Sequence, residues 1–373
     1  MTASDHALSP TRPPCSLVRV PGKVILSGEH AVVYGTPALA CAIQKYAFAK
    51  VVSIDIEGVH LTVPALGIDQ HFSNLQLTQL ALNTQLRHQH FVNDSGLLSN
   101  VVASPVQFFA AALGASGLVD LLSNQPGLGI ELTMDLVAGG GMGSSAALVA
   151  AMLAAAFKHI GQPLTAQQLI LKTTQSEHWQ HGRSSGLDPY VCVMGGLQRY
   201  EKGTGQRQVL KQLSACFLVT TGKPDSSTGE CVEAVKQHAF SDHLWRQFGQ
   251  VQEDLLQCML KGSPVNRHHS VLNDRHVSIQ VPHATAMVNA IAANHKLLQH
   301  IGVVPKAVAG FVAEIESNGG AAKICGAGSV VGDHAGLVFV VGLELAHIKE
   351  LCLNYAYGVQ EMLPDLEGVV YFD

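Results

Sequence analysis

The chain has 373 residues, 47% of them hydrophobic and 14% charged, enough to bury one large core or two smaller ones. Lys and Arg total 23 against 28 Asp and Glu, a formal net charge of −5, which gives no support for nucleic-acid binding through a basic face. Aromatic residues make up only 6%, while Ala, Leu, Val and Gly dominate, as in α/β or α+β enzymes packed with small aliphatics.

In chain order, Met1 to Pro14 is polar and proline-bearing, without the apolar stretch of a signal peptide, so residues 1–15 are expected to form a flexible extension. Residues 15–26 read as a strand interrupted at Pro21-Gly22, with Lys23 breaking its apolar run. A lysine snorkelling from an edge strand is the plain alternative there. Leu39 to Ile56 supplies more strand, 57–75 a hairpin and loop, and 76–91 and 101–116 helices. Gly129 to Val137 alternates as a strand. After a glycine-rich loop, Ser145 to His159 is helical and apolar on every side, so it is expected to be buried. A second helix runs from Thr165 to Trp179, residues 182–189 form a loop, and a short helix and a strand near Gln198–Tyr200 follow. Lys202-Gly-Thr-Gly-Gln206 is the best candidate boundary. Beyond it, strands are expected at 215–221, 336–342 and 368–372. Helices are expected at 228–239, 242–261, 283–301, 306–317 and 344–355. No apolar run of about 20 residues could span a membrane. The eight cysteines lie mostly in apolar runs without CxxC spacing, which suits reduced thiols in the cytoplasm. The pairs His268-His269 and His178/His181 lack further ligands nearby, so zinc is not expected.

The densest signal is Gly139-Gly140-Gly141-Met142-Gly143-Ser144-Ser145-Ala146-Ala147. Glycines here permit positive φ and let backbone amides approach a ligand, and the following helix aims its positive end at the same spot. Together these make a phosphate cradle. A P-loop would need lysine after the last glycine, and none is present. The dinucleotide fingerprint matches at Gly141-x-Gly143-x-x-Ala146, but residues 158–170 hold no acid for the ribose. A ligand-free glycine turn stays open.

Four further segments carry polar chemistry: Pro21 to Gly35 with Lys23 and Glu29-His30; Glu177 to Gly182, with Glu177 and His181 one helical turn apart; Ser184-Ser-Gly-Leu-Asp188-Pro189; and Lys323-Ile-Cys-Gly326-Ala327-Gly-Ser329. Taken singly, the second could be a solvated surface pair, the third a turn former and the fourth a flexible hairpin loop.

Taken together, the order and spacing of these segments resemble the GHMP kinases over nearly the whole chain from about residue 16. Gly28-Glu-His-Ala-Val-Val-Tyr-Gly35 is the most specific piece, and Asn294-His-Lys-Leu-Leu298 also resembles a family segment. The branch it most resembles transfers the γ-phosphoryl group of ATP to the 5-hydroxyl of mevalonate, on the route to isoprenoids. The resemblance implies an α+β fold of two domains with the active site in the cleft between them. These are a ribosomal-protein S5 domain 2-like half over residues 16–202 and a ferredoxin-like half over 207–373. It further implies that Gly139, Gly140, Gly141, Met142, Gly143, Ser144, Ser145 and Ala146 hold ATP. Ser145, or Ser144 beside it, and Glu177 would ligate Mg²⁺. Asp188 is placed as the catalytic aspartate with Lys23 beside it, and Glu29, His30, Gly326 and Ala327 line the substrate side. A small-molecule substrate, no nucleic acid and no membrane partner are implied. Family members are often dimers, so a homodimer is compatible. The sequence departs from the family pattern at Val137-Ala138, where prolines are usual, at Cys325, where threonine is usual, and at Ser329-Val330-Val331. Another small-molecule kinase of this family, acting for instance on phosphomevalonate, or a non-catalytic nucleotide-binding regulator of the same fold, are the alternatives.

Overall fold

The computed structural model describes residues 14–94, 98–123, 125–137, 139–201, 203–209, 215–261 and 282–372. Most of the expected extension and the His268-His269 pair lie outside the described residues. The first half opens with β1 (Ser16–Ser27), the long β2 (Ala38–Ile54) and the hairpin β3 (Val59–Val63) and β4 (Ile68–Phe72). It continues through α1 (Asn74–Asp94), α2 (Pro105–Ala115), α3 (Leu118–Leu121), β5 (Gly127–Met134), α4 (Ser144–His159), α5 (Ala166–His181) and α6 (Leu187–Met194) to the hairpin β6 (Leu197–Glu201) and β7 (Thr204–Gln208). The second half contains β8 (Cys216–Thr220), α7 (Thr228–Gln237), α8 (Asp242–Lys261), α9 (Pro282–His300) and α10 (Lys306–Ser317). It ends with β9 (Ala321–Ile324), β10 (Leu337–Val341), α11 (Leu345–Leu353), β11 (Gly358–Glu361) and β12 (Val370–Phe372).

These strands form two sheets. The larger has the order β12-β1-β2-β5-β3-β4, with β6 and β7 branching from the start of β2, and the smaller has the order β11-β8-β10-β9. Only β3 with β5 is parallel; every other pairing among the described strands is antiparallel. A doubly wound dinucleotide-binding fold needs a parallel sheet, so the glycine fingerprint at 141–146 has another use.

β12 covers β1 only over Leu17 to Arg19; at Lys23, which pairs with β2 on one side, the other side is taken by the glycine loop through the Met142 carbonyl, and the buried lysine does not snorkel. The expected break at Pro21-Gly22 is a register shift against β2 rather than an end to the strand. The predicted boundary around residues 202–206 contains the start of β7, which pairs with β6 in a hairpin. The structure also shows β9, β11 and α3, which the sequence reading did not include.

α4 packs on β1 and β2, and every residue from Ala146 to Phe157 is buried. Its small alanines let the helix lie close against the sheet, where larger side chains would hold it off. The main core joins β1, β2, β5 and α4 to Leu255, Leu256 and Ile291 of α8 and α9, and to Leu218 and Phe339 of the smaller sheet. Alternate residues of those strands, Phe217, Val219, Val338 and Val340, face a second core with Phe248 and Phe311. The first core thus ties the two sheets together and fixes the chain segments that meet between them.

Candidate active site

The glycine loop is pinned by its neighbours. Gly140 accepts a backbone hydrogen bond from Leu337 at 3.0 Å, and Met142 accepts one from Lys23 at 2.8 Å. Met142 is buried, and its thioether accepts from the Val137 amide at 3.4 Å. Two glycines are required by geometry. Gly141 sits at φ +90°, and a Cβ there would lie 2.5 Å from the Cys325 carbonyl oxygen; Gly143, at φ +66°, would bring one to 3.0 Å from the Lys23 side chain. Gly143 caps α4, and no side chain caps that helix end. Its first amides, with Ser144 and Ser145 half-buried beside them, are left for an anion.

Lys23 and Asp188 meet beneath this loop. The Lys23 ammonium is 3.0 Å from Asp188 Oδ2, and it also donates to the Gly141 carbonyl at 3.2 Å. The lysine side chain is 3% exposed and the aspartate 29%, so the ammonium is fixed while the carboxylate keeps an open face. Burial pulls the Lys23 pKa down, but the Asp188 charge and hydrogen bond lead the opposing effects, which win and hold it above the ordinary lysine value. The expected loop ends earlier than the sequence suggested: Asp188 lies in the first turn of α6. Pro189 follows in that turn, where a missing N–H does no harm. Before it, Gly186 and Leu187 donate to the hydroxyls of Ser184 and Ser185 at 3.1 and 3.3 Å, and Tyr200 donates to the Ser185 carbonyl at 2.6 Å. These contacts hold Asp188 in place.

Glu177 is buried rather than a solvated surface residue. Its Oε2 lies 3.3 Å from His181 Nε2, while its Oε1 is buried with no hydrogen-bond partner among the described residues. Burial lowers the His181 pKa, but Glu177 outweighs it and raises the net value. An unpartnered carboxylate oxygen in the helix that packs on α4 fits a magnesium ligand. Among the described residues no group of three or more His, Cys, Asp or Glu could hold a metal by itself.

The third wall is built by the Gly28–Gly35 segment and the turn after β9. Lys323, read from sequence as part of a glycine-rich turn, is instead a fully buried strand residue. It is ion-paired to buried Glu29 and donates to the Ile25 carbonyl at 3.0 Å. Burial raises the Glu29 pKa, and Lys323 offsets only part of that. Among the described residues Glu29 Oε2 has no hydrogen-bond partner. His30, at φ +54°, donates from Nε2 to the Ala327 carbonyl at 2.9 Å, which leaves Nδ1 as a buried acceptor with no partner among the described residues. Burial lowers the His30 pKa against the pull of that carbonyl, so its neutral form is favoured. Gly326 lies against the glycine loop, its built Cβ position 3.5 Å from the Gly141 Cα. The structure therefore brings Gly139–Ser145, Lys23, Asp188, Cys325 and Gly326 into one neighbourhood, with Glu29, His30 and Ala327 joined at its side.

Sequence reasoning gave no role to two residues that lie beside this neighbourhood. His295 of α9 is buried, and its pKa is pushed down to about 4 by burial first and then by Lys323 and Lys296. Lys223, in the turn after β8, lies beside the glycine loop, its Cγ 4.0 Å from where a Cβ on Gly139 would sit. The departure at Ser329-Val330-Val331 is a built turn: Ser329 Oγ accepts from the Ser226 amide at 2.9 Å and donates to the Val331 carbonyl at 2.7 Å.

A glycine loop at a helix N-terminus, with a buried lysine–carboxylate pair beneath it, defines a phosphotransferase site. Residues 100–196 match the GHMP kinases N terminal domain. The chain thus carries a GHMP kinase N-terminal domain and has the fold of the GHMP kinases. It is similar to mevalonate kinases. That of the archaeon Thermococcus gammatolerans is 29% identical over 319 residues, covering 84% of this chain and 86% of the relative. That of Thermococcus sibiricus is 28% identical with the same coverage. A crystal structure of mevalonate kinase superposes with a TM-score of 0.70 at 19% identity, covering 94% of this chain and 99% of the other.

Proposed function

We propose that the protein transfers the γ-phosphoryl group of ATP to the 5-hydroxyl of mevalonate, giving 5-phosphomevalonate and ADP. The observation that carries this reading is the Lys23–Asp188 pair, fixed at 3.0 Å beneath an uncapped helix end. The Glu29–His30 segment forms the adjacent wall, and the curated relatives named mevalonate kinase support the substrate. We place the nucleotide-binding half in residues 16–202 and the second half in 207–373, with the substrate between them.

In this reading the amides of Gly139 to Ala146 and the α4 dipole hold the triphosphate. Ser145 and Glu177 would hold Mg²⁺, which neutralises phosphate charge when bound. Asp188 accepts the proton of the mevalonate hydroxyl as the oxygen bonds to the γ-phosphorus and the bond to the β,γ-bridging oxygen breaks. A carboxylate is a weak base, and a weak base suffices. The transition state is loose, so the proton is lost late and positioning does most of the work. Lys23 also faces the charge that builds on the transferred oxygens. Glu29, the acceptor His30 Nδ1, Gly326 and Ala327 line the side that receives the hydroxy acid.

The test is ADP release by the purified protein with Mg²⁺-ATP and mevalonate, beside phosphomevalonate, galactose and homoserine. Release with mevalonate alone, abolished in Asp188→Ala, is expected. Nucleotide binding without turnover of mevalonate would reject the assignment. We infer a cytoplasmic location; among the described residues no helix is long and apolar enough to cross a membrane.

A further inference from the structure

The two buried lysines of the site are already matched by carboxylates, Lys23 by Asp188 and Lys323 by Glu29. A triphosphate laid on the glycine loop brings several negative charges and gains most from a cation with no carboxylate partner of its own. Lys223 has that character. It is exposed, makes no ion pair among the described residues, and its side-chain stem passes 4.0 Å from the position a Cβ on Gly139 would take.

Its placement is built rather than incidental. Thr221, two residues before it, donates to the Gly336 carbonyl from both its amide and its hydroxyl at 2.9 Å, and its hydroxyl accepts from the Ala335 amide at 3.0 Å. The next residue, Leu337, donates to the Gly140 carbonyl at 3.0 Å. Gly336 itself presses on the loop, since a Cβ there would lie 2.7 Å from that same carbonyl oxygen. Segment 335–337 therefore clamps the Lys223 turn and the phosphate loop to each other. Gly222, at φ +116°, lets the chain turn at a point where any Cβ would meet the His334 ring at 2.4 Å. On the far side, the Asp225 carboxylate accepts from the amides of Asp333 and His334 at 3.1 and 3.2 Å. That carboxylate is thereby anchored to the loop of 333–334.

We propose that Lys223 is a phosphate-contacting residue of this site, reaching from the turn after β8 to the phosphate tail of the nucleotide held by the 139–145 loop. It would let the enzyme favour di- and triphosphate nucleotides over nucleosides. This rests on the phosphotransferase reading above.

The experiment is calorimetric titration, without mevalonate, of Mg²⁺-AMPPNP (a non-hydrolysable ATP analogue), Mg²⁺-ADP and adenosine into wild type, Lys223→Ala and Lys223→Arg. Lys223→Ala should weaken AMPPNP roughly tenfold or more, while adenosine is unchanged and Lys223→Arg recovers part of the loss. The dependence of AMPPNP affinity on salt should also become shallower in Lys223→Ala. Wild-type affinity for AMPPNP in Lys223→Ala, or an equal loss for adenosine and AMPPNP, overturns the proposal. A wild-type protein that binds no AMPPNP overturns this proposal and the kinase reading together. A wild type that binds AMPPNP yet turns over no mevalonate sinks only the substrate assignment.

Discussion

The Lys23–Asp188 pair is asymmetric, and the asymmetry separates its contribution to stability from its contribution to chemistry. At 3.0 Å and an effective dielectric of about 20, the Coulomb attraction is about 5.5 kcal/mol. Lys23 is 3% exposed and Asp188 29%, so each partner fares differently when the other is removed. In Asp188→Asn the ammonium stays buried without its counter-charge. The Gly141 carbonyl, 3.2 Å away, and the option of deprotonation relieve only part of that cost. A loss of about 3 kcal/mol is expected. With an unfolding entropy of about 2.1 cal/mol/K per residue over 373 residues, that lowers Tm by roughly 4 °C. In Lys23→Met the apolar stem is kept and the buried charge removed, while Asp188 turns to water. Stability should then stay within about 1 kcal/mol of wild type, and the double variant should recover most of what Asp188→Asn loses. Activity follows a different order. Both single variants should lose about 10² to 10⁴ in kcat, and the double variant should be no better. Thermal unfolding without nucleotide, beside ADP release with mevalonate, reads both quantities. If Asp188→Asn melts like wild type while Lys23→Met is the damaged variant, the burial argument is refuted.

Three further outcomes follow from the same contacts. Gly141→Ala must adopt positive φ and set a Cβ against the Cys325 carbonyl, so it should cost about 2 kcal/mol or more and weaken ADP binding, measured by melting and titration. His30→Ala removes the hydrogen bond to Ala327; the KM for mevalonate should rise roughly tenfold with a smaller change in the KM for ATP, and equal rises would argue against a substrate-side role. His295, with a folded pKa of about 4 against an ordinary value near 6.5, is kept neutral by the fold. Its contribution to stability is therefore complete above pH 6.5 and is lost as pH falls through 4, by about 3 kcal/mol in total. Urea unfolding at pH 7 and pH 4.5 should show His295→Gln losing less on acidification than wild type; parallel losses would remove His295 as the cause.

What could be read from the sequence, and what could not, divides along a physical line. Local chemistry was readable. The alanine run of α4 announced a buried helix, and the glycine run announced the positive φ found at Gly139, Gly141 and Gly143, because both depend on neighbours in sequence. Even boundaries set by capping were close: Thr165 and Gln168 form the box that opens α5, one residue from the expected start. Partnerships across hundreds of residues were not readable from the residues themselves; Lys23 was set beside Asp188 only through the family resemblance. Nothing near Glu29 indicates that Lys323 will neutralise it, because β9 is a strand of only four residues whose apolar character is spread over Ala321, Ala322 and Ile324. Gly319-Gly320 before it and Gly326 after it draw the eye to turns. The same limit hid Lys223, an exposed lysine beside a proline, until β10 was seen to bond the phosphate loop on one side and the chain before it to hold Thr221 on the other. The motif residues of such a site are chosen by the ligand and so stand out in sequence. The residues that place them answer to the fold, and a buried Lys–Glu pair or a shared strand end looks ordinary until the chain has closed around it.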